Sequence, residues 1–150
     1  MTSRVLVALR IAAPPGRVFE AFTAEIGQWW RPNSLFPSSR QPAGRLAIEP
    51  GVGGHVTETH TDGEVIEIGQ IQVWEPPHRL VFTWRPTSFG PDQQTEVHVR
   101  FEPVTEGSRV VVEHAARHGF PLSAFQQRLA EGWQALLAAL ADHSGVPAGR

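Results

Sequence analysis

Two ionisable side chains stand out for the company they keep. Glu58 alternates with Val56 in the stretch His55–His60, and His114 alternates with Val110 and Val112 in Arg109–His114. On a strand, alternate residues share a face. A carboxyl and an imidazole on apolar faces are the groups whose proton affinity burial perturbs. Either could act as a general acid or base, or fix the orientation of a ligand. The plainer role is a structural hydrogen bond, or a place at a cavity mouth. Other chemistries have less to stand on. His114-Ala-Ala-Arg-His118 has the spacing of a zinc pair, but the metalloprotease version needs a helix and a Glu after the first His. Position 115 is Ala and the segment runs off the end of a strand, so no metal is expected. Gly51-Val52-Gly53-Gly54 reads as a turn, because a phosphate loop requires a helix after it and here a strand follows. No Gly-x-Ser-x-Gly elbow is present, and the chain has no cysteine, which excludes disulfides, thiolate nucleophiles and thiolate metal sites. No catalytic residue is assigned. If the protein is an enzyme, Glu58 and His114 are its acid/base candidates.

Composition narrows the partners. A formal net charge of -2 over 150 residues gives no basic stripe for nucleic acid and no polybasic segment for an anionic membrane. No apolar run is long enough to span a bilayer. Met1–Ala13 interrupts its apolar residues with Arg4 and Arg10, unlike a signal peptide. The expectation is a cytoplasmic protein without stable membrane insertion. The aromatic inventory is 5 Trp and 8 Phe with no Tyr, which favours apolar contact over phenolic hydrogen bonding.

The elements that must position these residues follow from periodicity. Arg4–Ile11 reads as a strand, stopped by Pro14 and Pro15. Val18, Phe19, Phe22 and Ile26 recur at helical spacing, so Gly16 to about Ile26 is amphipathic; the segment then reaches Trp29-Trp30, ends at Pro32, and is read as two short helices. Asn33–Ala43 is a Pro- and Ser-rich loop holding Phe36. Six strands are predicted next: Arg45–Glu49, His55–His60, Glu64–Trp74, Arg79–Arg85, Thr95–Glu102 and Arg109–His114. Gly69 interrupts the third of these and marks a bulge or a close backbone approach. Leu129, Trp133, Leu136 and Leu140 then share one face of a closing helix, with Ser123 and Gln126 spaced as a capping box. Short links between consecutive strands require an antiparallel sheet. Its apolar face needs a cover, and the closing helix is the one element long enough to supply it. The fold class is α+β, one domain with its core over about residues 4–143 and a tail at 144–150.

The opening RIAAPPGRVFEAFT, the Trp29-Trp30 pair, Gly53-Gly54 followed by Glu58, GQIQVWEPPHRLVFTW, TEVHVRFEP, SRVVVEH and a final GW before ALLAAL together resemble one family. It is the SRPBCC (START-like, helix-grip) superfamily, in the bacterial group related to the C-terminal domain of the heat-shock-protein-90 ATPase activator. Glu75–Trp84 is the most specific part, and the resemblance runs from about Arg4 to His143. It implies a curved antiparallel sheet gripping a long C-terminal helix, with a cavity between them. Members include lipid carriers, plant hormone receptors and polyketide cyclases, which share that cavity but no catalytic constellation. The pocket it implies has Trp30 and Phe36 near the entrance, and Glu58, Ile71, Phe82, Trp84, Val99 and His114 on the strands. Trp133 and Leu137 lie on the helix side. The expected partner is a small hydrophobic molecule bound without cofactor or catalysis. Two alternatives are an enzyme (cyclase, dehydratase or hydrolase) on a hydrophobic substrate, and a chaperone-type protein-interaction module. A homodimer through an edge strand is compatible with each.

Overall fold

The computed structural model describes residues 4–32, 38, 41–85, 93–117 and 122–145. The chain forms β1 (Arg4–Ile11), α1 (Pro15–Thr23), α2 (Ile26–Trp29), β2 (Arg45–Ile48), β3 (His55–Thr59), β4 (Val65–Glu75), β5 (Arg79–Trp84), β6 (Gln94–Val104), β7 (Gly107–Arg117) and α3 (Leu122–Ser144). The seven strands make one curved antiparallel sheet in the order β1-β7-β6-β5-β4-β3-β2. This is the helix-grip arrangement that the alternation pattern and the resemblance implied.

Alternation carries into burial. Thr95, Val97, Val99 and Phe101 of β6 are buried, as are Val110, Val112 and His114 of β7 and Leu80, Phe82 and Trp84 of β5. Register ties them into rows: Phe82 stands opposite Val97, Val97 opposite His114, and Val99 opposite Val112. The turn before β3 is confirmed by left-handed backbone at Gly51 and Gly53, conformations that glycine adopts without steric cost.

Gly69 fulfils both of its predicted roles. Thr57 pairs with Glu67 while Val56 pairs with Gly69, so β4 carries an extra residue against β3. On the other side, a Cβ at Gly69 would lie 1.8 Å from the Thr83 carbonyl oxygen. The two backbones can meet only where there is no side chain.

The two short helices before the rest of the sheet are α1, which stops at Thr23, and α2, a separate turn ending before Trp30. One expectation is corrected. The closing helix does not cover the sheet alone. α3 lies chiefly along β1, while α1 packs on β6 and α2 on β2. Six inter-strand spacings of about 4.8 Å make a sheet about 29 Å wide, and a helix about 10 Å across cannot span it. The expected capping box rests on Ser123, whose side chain lies outside what is described; the Gln126 amide donates to the Arg4 carbonyl at 3.2 Å.

Candidate functional site

The concave side of the sheet carries one connected set of aromatic rings, whose two ends Phe22 joins through Phe82 at 6.3 Å and through Trp29 at 5.5 Å. Under α1, Phe19 meets Trp74 and Phe101 at centroid distances of 5.1 Å, and Phe22 meets Phe101 at 6.0 Å. The other end of the set gathers where α2 and β5 end. Trp30 lies 5.5 Å from Trp84 and 5.9 Å from Trp133, and Trp133 lies 6.0 Å from the His114 ring. Phe82 joins through Trp84 at 6.3 Å. Five of the sequence-predicted pocket residues, from β5, β7, α3 and the residue that follows α2, therefore meet in one place. Val99, Ile71 and Leu137 are fully buried in the same core. Phe36 lies outside the described residues.

A chain of polar atoms runs through this end of the set. The Trp133 indole N–H donates to His114 Nδ1 at 2.9 Å. Nδ1 therefore carries a lone pair, and a neutral ring must carry its proton on Nε2. His114 Nε2 lies 2.7 Å from Thr95 Oγ1, and Thr95 in turn donates to the Trp84 carbonyl at 3.1 Å. Each donor thus has one acceptor and the direction of the chain is set. Burial pushes the His114 pKa down to about 3, because an imidazolium there would lose its hydration. With that affinity and its Nδ1 lone pair engaged, His114 is a poor general base at neutral pH. Its partner in the spaced pair, His118, lies outside the described residues. No cluster of three metal-ligating side chains occurs among the described residues.

Glu58 is buried on the concave face as expected, but its neighbour was not anticipated. His60, also buried, places Nε2 2.6 Å from Glu58 Oε1, and its Nδ1 donates to the Pro42 carbonyl at 3.0 Å. Two acceptors do not approach so closely, so one proton lies between them. The pair is then neutral as a whole, either as carboxylate with imidazolium or as acid with imidazole. Gly44 covers it: a Cβ there would come within 2.5 Å of Glu58 Cγ and 2.9 Å of His60 Nε2. The signal was available, since residues 58 and 60 share a strand face. The sheet does not bring Glu58 and His114 together. They stand on β3 and β7, four strand steps apart, or about 19 Å measured along the sheet.

Comparison with known proteins agrees with this architecture. A family model described as "Activator of Hsp90 ATPase homolog 1-like protein" matches residues 12–145. Protein MLL2253 from Mesorhizobium loti superposes with a TM-score of 0.69 at 19% identity, covering 96% of this chain and 100% of its own. Protein CV1439 from Chromobacterium violaceum gives 0.68 at 18% identity, covering 96% and 98%. DynU16, from the dynemicin biosynthetic locus, gives 0.69 at 22% identity; the match covers 93% of this chain but 46% of DynU16. Likeness at these identities speaks to fold. Comparison with curated proteins finds no match.

Proposed function

The chain belongs to the family of activator of Hsp90 ATPase homolog 1-like proteins, and on that premise we propose that it is a non-catalytic binding module for a small, mostly apolar molecule. One observation carries the reading. At the end of the aromatic set marked by Trp30, Trp84 and Trp133, a directed polar chain runs from Trp133 through His114 and Thr95 to the Trp84 carbonyl. It also sits where α2 and β5 give way to loops, the usual location of binding residues on a rigid scaffold. Aromatic walls with a few fixed polar groups are what small-molecule sites use, and apolar contact there contributes roughly 25 cal/mol per Å² removed from water. No described helix is long and apolar enough to cross a membrane, and we place the activity in the cytoplasm.

Native mass spectrometry of gently purified protein, followed by a screen of apolar dyes and lipids read through tryptophan emission, tests this. Saturable binding that shifts the emission supports it. A ligand-free mass together with an empty screen rejects it.

A catalytic reading draws on the Glu58–His60 pair rather than on Glu58 with His114. A buried carboxyl sharing a proton with an imidazole is equipped to exchange one with a substrate. Should the screen yield a compound that the protein converts, Glu58→Gln is expected to lower turnover by about 10²-fold or more, the usual size of an acid/base contribution. Unchanged turnover in that variant would remove the pair from the chemistry. The chaperone-partner alternative gains nothing comparable. The exposed large apolar side chains among the described residues are Leu6, Val52 and Val65, set on β1, the β2–β3 turn and β4.

A further inference from the structure

The corner between α1 and α2 meets the C-terminal end of α3 through one carboxylate. Glu25 stands in the link between the two short helices, and each of its oxygens takes a different partner. Oε2 lies 2.9 Å from Arg17 Nη1 of α1, and Oε1 lies 2.7 Å from His143 Nε2 of α3. Arg17 also reaches Glu20 at 2.9 Å. A carboxylate has no hydrogen to give, so His143 Nε2 carries the proton and donates it. That bond exists whether the imidazole is neutral or charged. Only its strength changes, since a charge-assisted hydrogen bond is roughly twice as strong as a neutral one.

The surroundings favour the charged form. The His143 and Glu25 side chains are 21% and 23% exposed, so water screens them less than a surface pair. His143 lies in the last turn of α3, where the unpaired carbonyls attract a cation. Arg17 offsets one of the two carboxylates of Glu20 and Glu25, which leaves a negative charge for His143 to meet, and Asp142 is exposed beside it. Glu25 stays a carboxylate while imidazoles titrate, because Arg17, then His143, hold its carboxyl below the ordinary glutamate range. α2 brings no ionisable side chain. On β1 and β7, which α3 also packs against, Arg4 pairs with Glu113, Arg10 with the Thr105 carbonyl, Arg109 with Glu102 and His114 with Trp133. Arg128 and Glu131 stand three turns or more back along α3, about 18 Å away or farther at 1.5 Å per residue.

We infer that His143 and Glu25 form a proton-operated clasp between α3 and the α1–α2 corner, tight while His143 is charged and looser as rising pH removes its proton. The corner is built lightly enough to respond. α2 is four residues long, and the Gln28 and Trp30 amides donate to the Glu25 and Ile26 carbonyls at 2.9 and 3.0 Å. Trp30 follows α2 at once, so the clasp governs how firmly its ring is held beside Trp84 and Trp133. On the reading that the aromatic centre binds a small molecule, entry there becomes pH-dependent. The clasp is tested without any ligand, so either idea can fail alone.

Amide hydrogen exchange of the full chain, expressed as protection factors at about pH 5.5 and about pH 8, brackets the range in which imidazoles change charge. Glu25, Gln28 and Trp30 are expected to lose protection about threefold at the higher pH, the scale of a half-buried charge pair at a helix end. The amides of β6, inside the sheet, report global stability and should not share that loss. His143→Gln, which keeps a donor without a charge, should show the weaker protection at both pH values. Glu25→Gln should abolish the pH dependence from the other side. No change in the parent, the parent's change persisting in either variant, or a parallel loss in β6 would overturn the clasp.

Discussion

Trp133, His114 and Thr95 hold one another in a single protonation pattern, and this makes the centre of the protein sensitive to acid. His114 is neutral in the folded state, with its pKa pushed down to about 3 by burial, against about 6.5 in an unfolded chain. A group whose folded pKa is depressed in this way binds more protons unfolded than folded at any pH between the two values. Its contribution to stability is complete above about pH 6.5 and is lost as pH falls toward 3. Between pH 7 and pH 5 the loss is about 2 kcal/mol, a window in which most carboxylates have not yet titrated. Urea unfolding at the two pH values should show it, and His114→Gln, which does not titrate, should show a flatter dependence. Equal losses in variant and parent would mean that His114 is not the group responsible. The sequence marked His114 because it alternates with Val110 and Val112. It could not supply the indole and hydroxyl partners, which come from residues 19 positions away on either side. His60 was legible by the same rule as Glu58, two residues on along one strand face, but its Pro42 and Gly44 surroundings come from a loop with no periodicity to read.

Strands were read closely because their signal is local. β1 and β6 alternate apolar and polar residues and the alternation survives into burial, whereas β5 is buried on both faces. Breaks in elements are different. α1 ends at Thr23, whose hydroxyl folds back to the Phe19 carbonyl at 2.7 Å. Glu25 then turns out of the helix line to meet Arg17 at 2.9 Å and His143 of α3 at 2.7 Å. Arg17, then His143, hold its carboxyl below the ordinary glutamate range. No local pattern announces a partner 118 residues away. Gly69 is the element-scale exception, since a glycine inside an apolar strand pattern is itself the signal. Its role predicts a large effect for Gly69→Ala. The added methyl would sit 1.8 Å from the Thr83 carbonyl oxygen, and backbone on both strands must move to admit it. Overpacking of this kind costs about 1–3 kcal/mol, with the upper end expected here because the obstacle is backbone rather than a side chain. Thermal unfolding measures it, and a variant within about 0.5 kcal/mol of the parent, the range of a neutral surface change, would show that β4 and β5 can separate freely.

At the scale of the whole molecule, a seven-stranded open sheet has two edges, β1 and β2. Unpaired strand edges invite pairing between molecules, and an edge-strand homodimer was compatible with the sequence. The fold covers both edges with its own helices. α3 runs along β1, and the Gln126 amide takes up the Arg4 carbonyl there. On the other side α2 packs on β2, close enough that a Cβ at Gly27 would lie 2.8 Å from the Leu46 carbonyl oxygen and 2.5 Å from Arg45 Nε. The arginine side chain can move aside, but the carbonyl belongs to the edge itself. The two helices that help cover the apolar face therefore also serve as edge guards, which no stretch of sequence states by itself. The parent protein is accordingly expected to sediment as a monomer across a concentration series. Gly27→Ala should push α2 from β2 and expose that edge, giving association that grows with concentration while far-ultraviolet circular dichroism stays close to the parent's. If the variant remains monomeric with its β2 amides still protected from exchange, α2 is not what guards the edge. If the parent itself dimerises and its β2 amides gain protection on doing so, the edge is open in spite of α2.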